Sequence, residues 1–198
     1  MTEVRRPYHH GNLRQELLDH GLTLLEDQGM ASLSLRELAK GLGVSAAAVY
    51  RHFADKDALL AEIALLGFRQ LGAVFSAVLS ESGVPRERLR TLGLAYVDFG
   101  MAHPHLYRLM FCSKAGASEE GGGEGNEEGM APYLLLQGTV AACCGADAAP
   151  EKVAAATIAA WAMVHGFVLL RQEGVLSALP PEAWPDTAAV LETLVPGA

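Results

Sequence analysis

The sequence predicts an all-α protein in two parts, an N-terminal three-helix head followed by a larger helical body. Apolar residues recur at helical spacing through most of the chain, and no stretch alternates convincingly like a strand. Helix starts are marked by capping residues, and helix ends by glycine and proline. A chain of 198 residues buries a substantial core and suits a small head fused to a larger body.

The elements follow in order. Met1 to Gly11 is polar and basic around Pro7 and reads as a flexible arm. From Leu13, the spacing of Leu17, Leu18, Gly21, Leu24 and Leu25 predicts a helix that stops at Gly29. Ser34 is placed to cap a second, short helix, with Glu37 closing a capping box and Leu33 and Leu38 forming a hydrophobic staple. Ser45 caps a third, Val44 and Val49 repeat the staple, and Gly41-Leu42-Gly43 reads as the tight turn between the two. Asp55 caps a long helix to about Leu79, and Pro85 opens another to about Met101. The His103-Pro104-His105 step breaks the chain before a short apolar helix to Cys112. Residues 114–129, rich in Gly and Glu, lack apolar anchors and read as a flexible insert. Helices are then expected over Tyr133 to Cys144, Glu151 to about Arg171 and Pro185 to Val195.

Composition excludes several classes. Cys112, Cys143 and Cys144 have no zinc-binding spacing and read as reduced, buried small hydrophobes. A metal site from His103, His165 and Cys112 is rejected because the spacing is loose, and no cofactor motif is present. No matched nucleophile and base suggests an enzyme. No uninterrupted apolar run approaches the roughly 20 residues needed to cross a bilayer, and Glu3 with no apolar segment after Arg5 and Arg6 is unlike a signal peptide. A cytoplasmic protein is therefore expected. The net charge of −8 is uneven: Met1 to Lys56 carries seven Lys or Arg against seven Asp or Glu, and the remainder carries eight against sixteen. A neutral head is compatible with nucleic acid, but it must contact phosphate through specific residues.

Two short helices joined by a glycine-containing turn have the geometry of a helix-turn-helix. Val49 and Phe53 lie four apart and face inward with Leu35, Leu38, Ala39 and Leu42, leaving Ala46, Ala47, Tyr50 and Arg51 for a major groove. Periodicity alone fits a helix pair that binds nothing better than one that binds DNA, since capped helix pairs occur in many helical proteins. The runs Tyr8-His9-His10-Gly11-Asn12-Leu13, Leu33 to Ala39, Gly43-Val44-Ser45 and Val49 to Leu60 resemble the N-terminal domain of the TetR family of bacterial regulators. His103-Pro104-x-Leu106-Tyr107-Arg108-Leu109-Met110-Phe111 and Trp161-x-x-x-His165-Gly166 resemble the C-terminal domain of one subgroup, named for a Trp, His, Gly pattern. The 114–129 insert has no counterpart in the resemblance.

The resemblance implies a homodimeric DNA-binding transcriptional regulator, typically a repressor released from its operator by a small-molecule effector. It implies a DNA-binding head over residues 1–56 and an effector-binding and dimerising body over 57–198. It places Ser34, Tyr50, His52 and Lys56 near phosphates and Ala46, Ala47 and Tyr50 near base edges, with Ser45 also among the DNA-binding residues. Three successive alanines make no bidentate bonds to bases, so readout leans on Tyr50, Arg51 and an arm whose Arg5 or Arg6 enters a minor groove. In the body, Tyr96, Phe99, His103, Tyr107, Trp161, His165 and Phe167 are the candidates to line a pocket for an uncharged or weakly polar molecule, and each is also explained as packed core. Gly166 reads as a close helix crossing. The helix from Glu151 and the last helix are expected to form the dimer contact, with Ala160 facing the partner. The rival reading is a DNA-independent helical adaptor or dimeric scaffold.

Overall fold

The computed structural model describes residues 12–81, 83–112, 124–180 and 186–193. These form α1 (Leu13–Gln28), α2 (Leu35–Leu42), α3 (Ala46–Tyr50), α4 (Lys56–Ser80), α5 (Pro85–Ala102), α6 (Pro104–Cys112), α7 (Glu124–Cys144), α8 (Pro150–Gln172) and α9 (Thr187–Glu192), with a 3-10 turn at Val175–Ala178. The described residues contain no strand. The arm with Arg5 and Arg6 lies outside the described residues.

The head is built as its caps dictate. Ser34 Oγ accepts from the Glu37 amide at 3.1 Å, Ser45 Oγ from Ala48 at 3.2 Å, and Asp55 Oδ1 from Ala58 at 2.8 Å. Each satisfies an amide that the first helical turn leaves without an internal partner. Leu17, Leu25, Leu33, Leu38, Val49, Leu59 and Ile63 are buried together beneath these helices. The expected tight turn contracts to Gly43, whose φ is +66°, because Gly41 and Leu42 still belong to α2. A Cβ at Gly41 would lie 2.1 Å from His20 Nε2, so a larger residue there would make the His20 ring shift.

In the body, α4 packs against α5, α6 and α7 as well as α1. Its Gly67 admits Met110 and Leu106 of α6, since a Cβ would meet Met110 Sδ at 2.5 Å. Gly100 of α5 admits α8 in the same way, with Val168 Cγ1 at 2.6 Å. Gly166 does not mark such a crossing, because a Cβ there would meet nothing within 4 Å.

Two boundaries differ from expectation. α7 begins at Glu124, so the end of the expected insert is helical and Pro132 sits inside a helix rather than before it. Pro132 is buried and lies beside Gly72 of α4, where a Cβ would be 3.9 Å from its ring, at ordinary contact distance. The last helix is shorter than expected: Asp186 caps α9, and its six residues pack on α5.

α4 and α8 are long and apolar enough to cross a membrane by length and composition, which a search for uninterrupted runs does not reveal. Both nevertheless bury a side within the bundle, α4 through residues such as Leu59, Ile63, Leu71 and Phe75, and α8 through Thr157, Ala160, Val164 and Val168.

Candidate nucleic-acid interface and aromatic cluster

α3 is held by Val49 and Phe53, both buried with Leu35, Leu38 and Ala39. Ala46, Ala47, Tyr50, Arg51 and His52 are exposed, and Tyr50 keeps 52% of its surface. Beside Tyr50 runs an open groove of about 290 Å³ lined by Ser34, Leu35, Arg36, Tyr50, Asp55 and Lys56. The N-terminal ends of α2 and α4 reach this groove through their caps, Ser34 and Asp55.

The cations around it are unequally available. Arg14 pairs with Glu62 and lies over the Phe53 ring, and Lys40 sits 3.7 Å from Glu37. Lys56 Nζ donates to the Met30 carbonyl at 2.8 Å. Arg36 and Arg51 are exposed and have no ion pair or hydrogen bond among the described residues. Sequence reading missed Arg36. Its signal was a polar position next to the Ser34 cap, between buried Leu35 and Leu38.

The body brings four of its candidate residues into one cluster. Tyr107 Oη lies 2.6 Å and Tyr96 Oη 2.9 Å from His165 Nδ1, the two hydroxyls are 3.0 Å apart, and Trp161 Nε1 donates to Tyr96 Oη at 3.1 Å. Burial pushes His165 below the ordinary histidine range. A neutral ring suits this site, with Nδ1 accepting from a tyrosine and the proton on Nε2. Phe111, which was not among the candidates, stands at the centre, with its ring 4.9 Å from Tyr107, 5.1 Å from His165 and 6.1 Å from Trp161. Its spacing of four from Tyr107 on α6 was the available signal.

The remaining candidates lie elsewhere. His103 faces the head, with Nδ1 3.4 Å from Glu26 of α1, and its ring packs on Phe99 at 5.1 Å. Phe167 is half-buried under the Arg171 guanidinium. Cys143 and Cys144 are free and half-buried rather than buried, and burial beside Cys144 pushes the Cys143 thiol up, so it is no thiolate. Cys112's side chain lies outside the description.

The outer face of the body is apolar. Ala155, Ile158, Ala159, Ala162 and Leu170 of α8 are exposed, as are Met130, Leu134, Gly138 and Ala142 of α7. Ala160, expected to face a partner, is instead buried inside the bundle.

Residues 17–63, from α1 into α4, match the bacterial regulatory proteins of the tetR family, and residues 89–195 match the tetracyclin repressor-like C-terminal domain. The chain belongs to the TetR family. A protein of unknown function from Rhodococcus sp. RHA1 is 34% identical, with 96% of this chain and 94% of that one covered and a TM-score of 0.77. Among curated relatives, the HTH-type transcriptional regulator AcrR of Shigella flexneri is 46% identical over 59 residues, 30% of this chain and 27% of that protein. The HTH-type transcriptional repressor KstR2 of Mycobacterium tuberculosis is 28% identical over 103 residues, 52% of this chain and 50% of that one. The chain thus spans about a quarter and a half of the length of these two curated relatives. The 17–63 match of the TetR family contains the whole groove beside Tyr50, and the 89–195 match contains Tyr96, Tyr107, Phe111, Trp161 and His165.

Proposed function

We propose that this TetR-family protein is a cytoplasmic, homodimeric transcriptional regulator, a repressor whose head binds operator DNA and whose body releases it on binding an uncharged or weakly polar effector. The observation that carries the reading is the exposed α3 face with Tyr50 beside the groove. α3 enters a major groove, with Ala46, Ala47 and Tyr50 toward base edges and Ser34, Ser45, Arg51 and His52 toward the backbone. Arg5 and Arg6 in the arm reach the adjacent minor groove. Residues 1–56 act as the DNA-binding unit and 57–198 as the effector and dimer unit.

The Trp, His, Gly subgroup assignment is supported by Trp161 and His165, one turn apart on α8 and joined to the same Tyr96 hydroxyl. The effector sits against Tyr96, Tyr107, Phe111, Trp161 and His165, where aromatic faces offer apolar area and the hydroxyl cluster fixes orientation. His103 and Phe99 instead lie where α5 and α6 meet the head, a place to pass a change in the body to α1.

The partner helices are α7 and α8 rather than α8 and α9. α9 buries Leu191 against its own subunit, while α7 and α8 carry the exposed apolar residues. Selection of bound sequences from random duplex DNA, followed by a salt titration, tests the reading. A recovered consensus with affinity falling steeply as salt rises is expected, and a chain that enriches no sequence would defeat it.

A further inference from the structure

We infer that the adjacent thiols of Cys143 and Cys144 form a second ligand site on this chain, one that chelates a trivalent organoarsenical of the R–As(OH)2 type. Both cysteines belong to the last turn of α7 and are half-buried, free thiols at the edge of the core. Tyr133, where α7 approaches Trp161 and the aromatic cluster, is roughly 15 Å away along the helix. The side of α7 proposed to meet a partner runs through Met130, Leu134, Gly138 and Ala142, and the thiols lie off that stripe. The site stands or falls independently of DNA binding.

Two adjacent cysteines are poorly placed to form a disulfide. Consecutive Cα atoms stand about 3.8 Å apart across a trans peptide, whereas a relaxed disulfide spans about 4.4–6.8 Å between Cα atoms. Burial, with the Cys144 thiol beside it, pushes the Cys143 thiol up against the opposing pull of Arg86, so it stays protonated and is a poor nucleophile toward peroxides. Both features disfavour a redox switch and suit a soft ligand that brings two leaving groups of its own. Tetrahedral zinc takes four ligands, and among the described residues no group of three His, Cys, Asp or Glu side chains could hold a metal ion.

Arsenic(III) bearing one organic group meets these demands. Each thiol forms an S–As bond as an As–OH bond breaks, and the thiol proton leaves with the hydroxyl as water. Two waters are released, arsenic stays trivalent and no electron is transferred. The arsenic atom also enlarges the ring by one member relative to a disulfide, which relieves the close Cα spacing. Neighbouring side chains on a helix diverge by about 100°, so the last turn must open to bring both sulfurs to one atom. The end of α7 is free to do so. The Gly145 amide donates to the Ala141 carbonyl at 3.2 Å, and Gly145, with φ +89°, has nothing within 4 Å of where a Cβ would stand. The final carbonyls of a helix have no internal partner to lose.

The probe is phenylarsine oxide, which hydrates to the R–As(OH)2 form, titrated into the folded full chain and followed by intact mass and circular dichroism. One phenylarsenic per chain is expected, retained in excess glutathione and stripped by ethanedithiol, with the helical signal kept. Cys143→Ser and Cys144→Ser each leave one thiol of the pair and should weaken binding roughly a hundredfold or more, because the second bond of a chelate forms at high effective concentration. Both variants should then lose the adduct to glutathione, while Cys112→Ser binds as the unmodified chain does. Should a serine variant fail to fold, the alanine variant at the same position takes its place. An adduct that survives glutathione in either single variant, or that disappears in Cys112→Ser, overturns the inference. So does uptake only after the helical signal is lost, or uptake blocked by equimolar Zn(II), which would mark a metal site instead.

Discussion

His165 carries the half of the aromatic cluster that pH can reach. Burial lowers its pKa, and Tyr96 and Tyr107 both approach Nδ1, so the native state favours a neutral ring. The unfolded chain, with an ordinary histidine pKa of about 6.5, binds a proton sooner as pH falls. The stability this site contributes is therefore present above about pH 6.5 and is lost as pH drops toward the folded pKa. Thermal melts from pH 8 to 5 should show a falling midpoint that is flatter in His165→Phe, and an equally steep fall in that variant would show that the pH dependence comes from other groups. At a surface cap the effect is different and independent of pH: Ser45→Ala should cost about 1 kcal/mol in denaturant melts, because it strips the acceptor from the Ala48 amide. Ser34, Ser45 and Asp55 were legible because a cap and its amide are three residues apart. Lys56 on Met30, His103 on Glu26 and the Phe111-centred cluster were not, since their partners lie far along the chain and only the packed fold brings them together.

Among the elements, small residues show where helices truly meet. Sequence marks a glycine inside a helix as unusual but does not say what approaches it, and so Gly166 reads as a crossing while Gly67 and Gly100 carry no such mark. The structure reverses these roles, with Met110 and Val168 against Gly67 and Gly100 and open space at Gly166. Gly100→Ala should therefore lower stability by about 1–3 kcal/mol through overpacking against Val168 and Tyr107. Gly166→Ala, free of any clash within the subunit, should leave stability unchanged or raise it by up to about 1 kcal/mol from helix propensity. Denaturant unfolding of the two variants side by side checks the contrast, and equal destabilisation would contradict it. The boundary of α7 was hidden for a related reason. Glycine and Pro132 each argue locally against a long helix, yet Pro132 is buried beside α4 at Gly72 and packing overrides propensity.

At the scale of the whole molecule, the apolar outer faces of α7 and α8 call for an explanation that one subunit does not supply. Between Lys152 and Arg171 the one titratable side chain is His165, which turns inward, and from Met130 to Cys144 the only ionisable groups are the Tyr133 hydroxyl and the two cysteine thiols. A helix facing only its own core needs one apolar side, yet α8 is apolar inward through Ala160, Val164 and Val168 and outward through Ala155, Ile158, Ala159 and Ala162. Exposed alanines and glycine let a second helix approach closely, and a two-fold axis would set α7 and α8 of each subunit into a four-helix contact. Such a contact also answers a deficit in the head. One α3 with three alanines carries little base information, whereas two fixed about 34 Å apart meet successive major grooves on one face of the duplex. The variants separate surface from core. Ile158→Glu places a carboxylate on the outer face, so the subunit should fold with an unchanged helical spectrum while the dimer dissociates and operator binding falls steeply. Ala160→Glu buries the same carboxylate inside the bundle and should unfold the subunit instead. Sedimentation at micromolar concentration should show the unmodified chain at twice its 21.0 kDa and Ile158→Glu at the monomer mass. An unmodified chain that sediments as a monomer, or an Ile158→Glu variant that remains a dimer with full operator affinity, would remove this face from the interface.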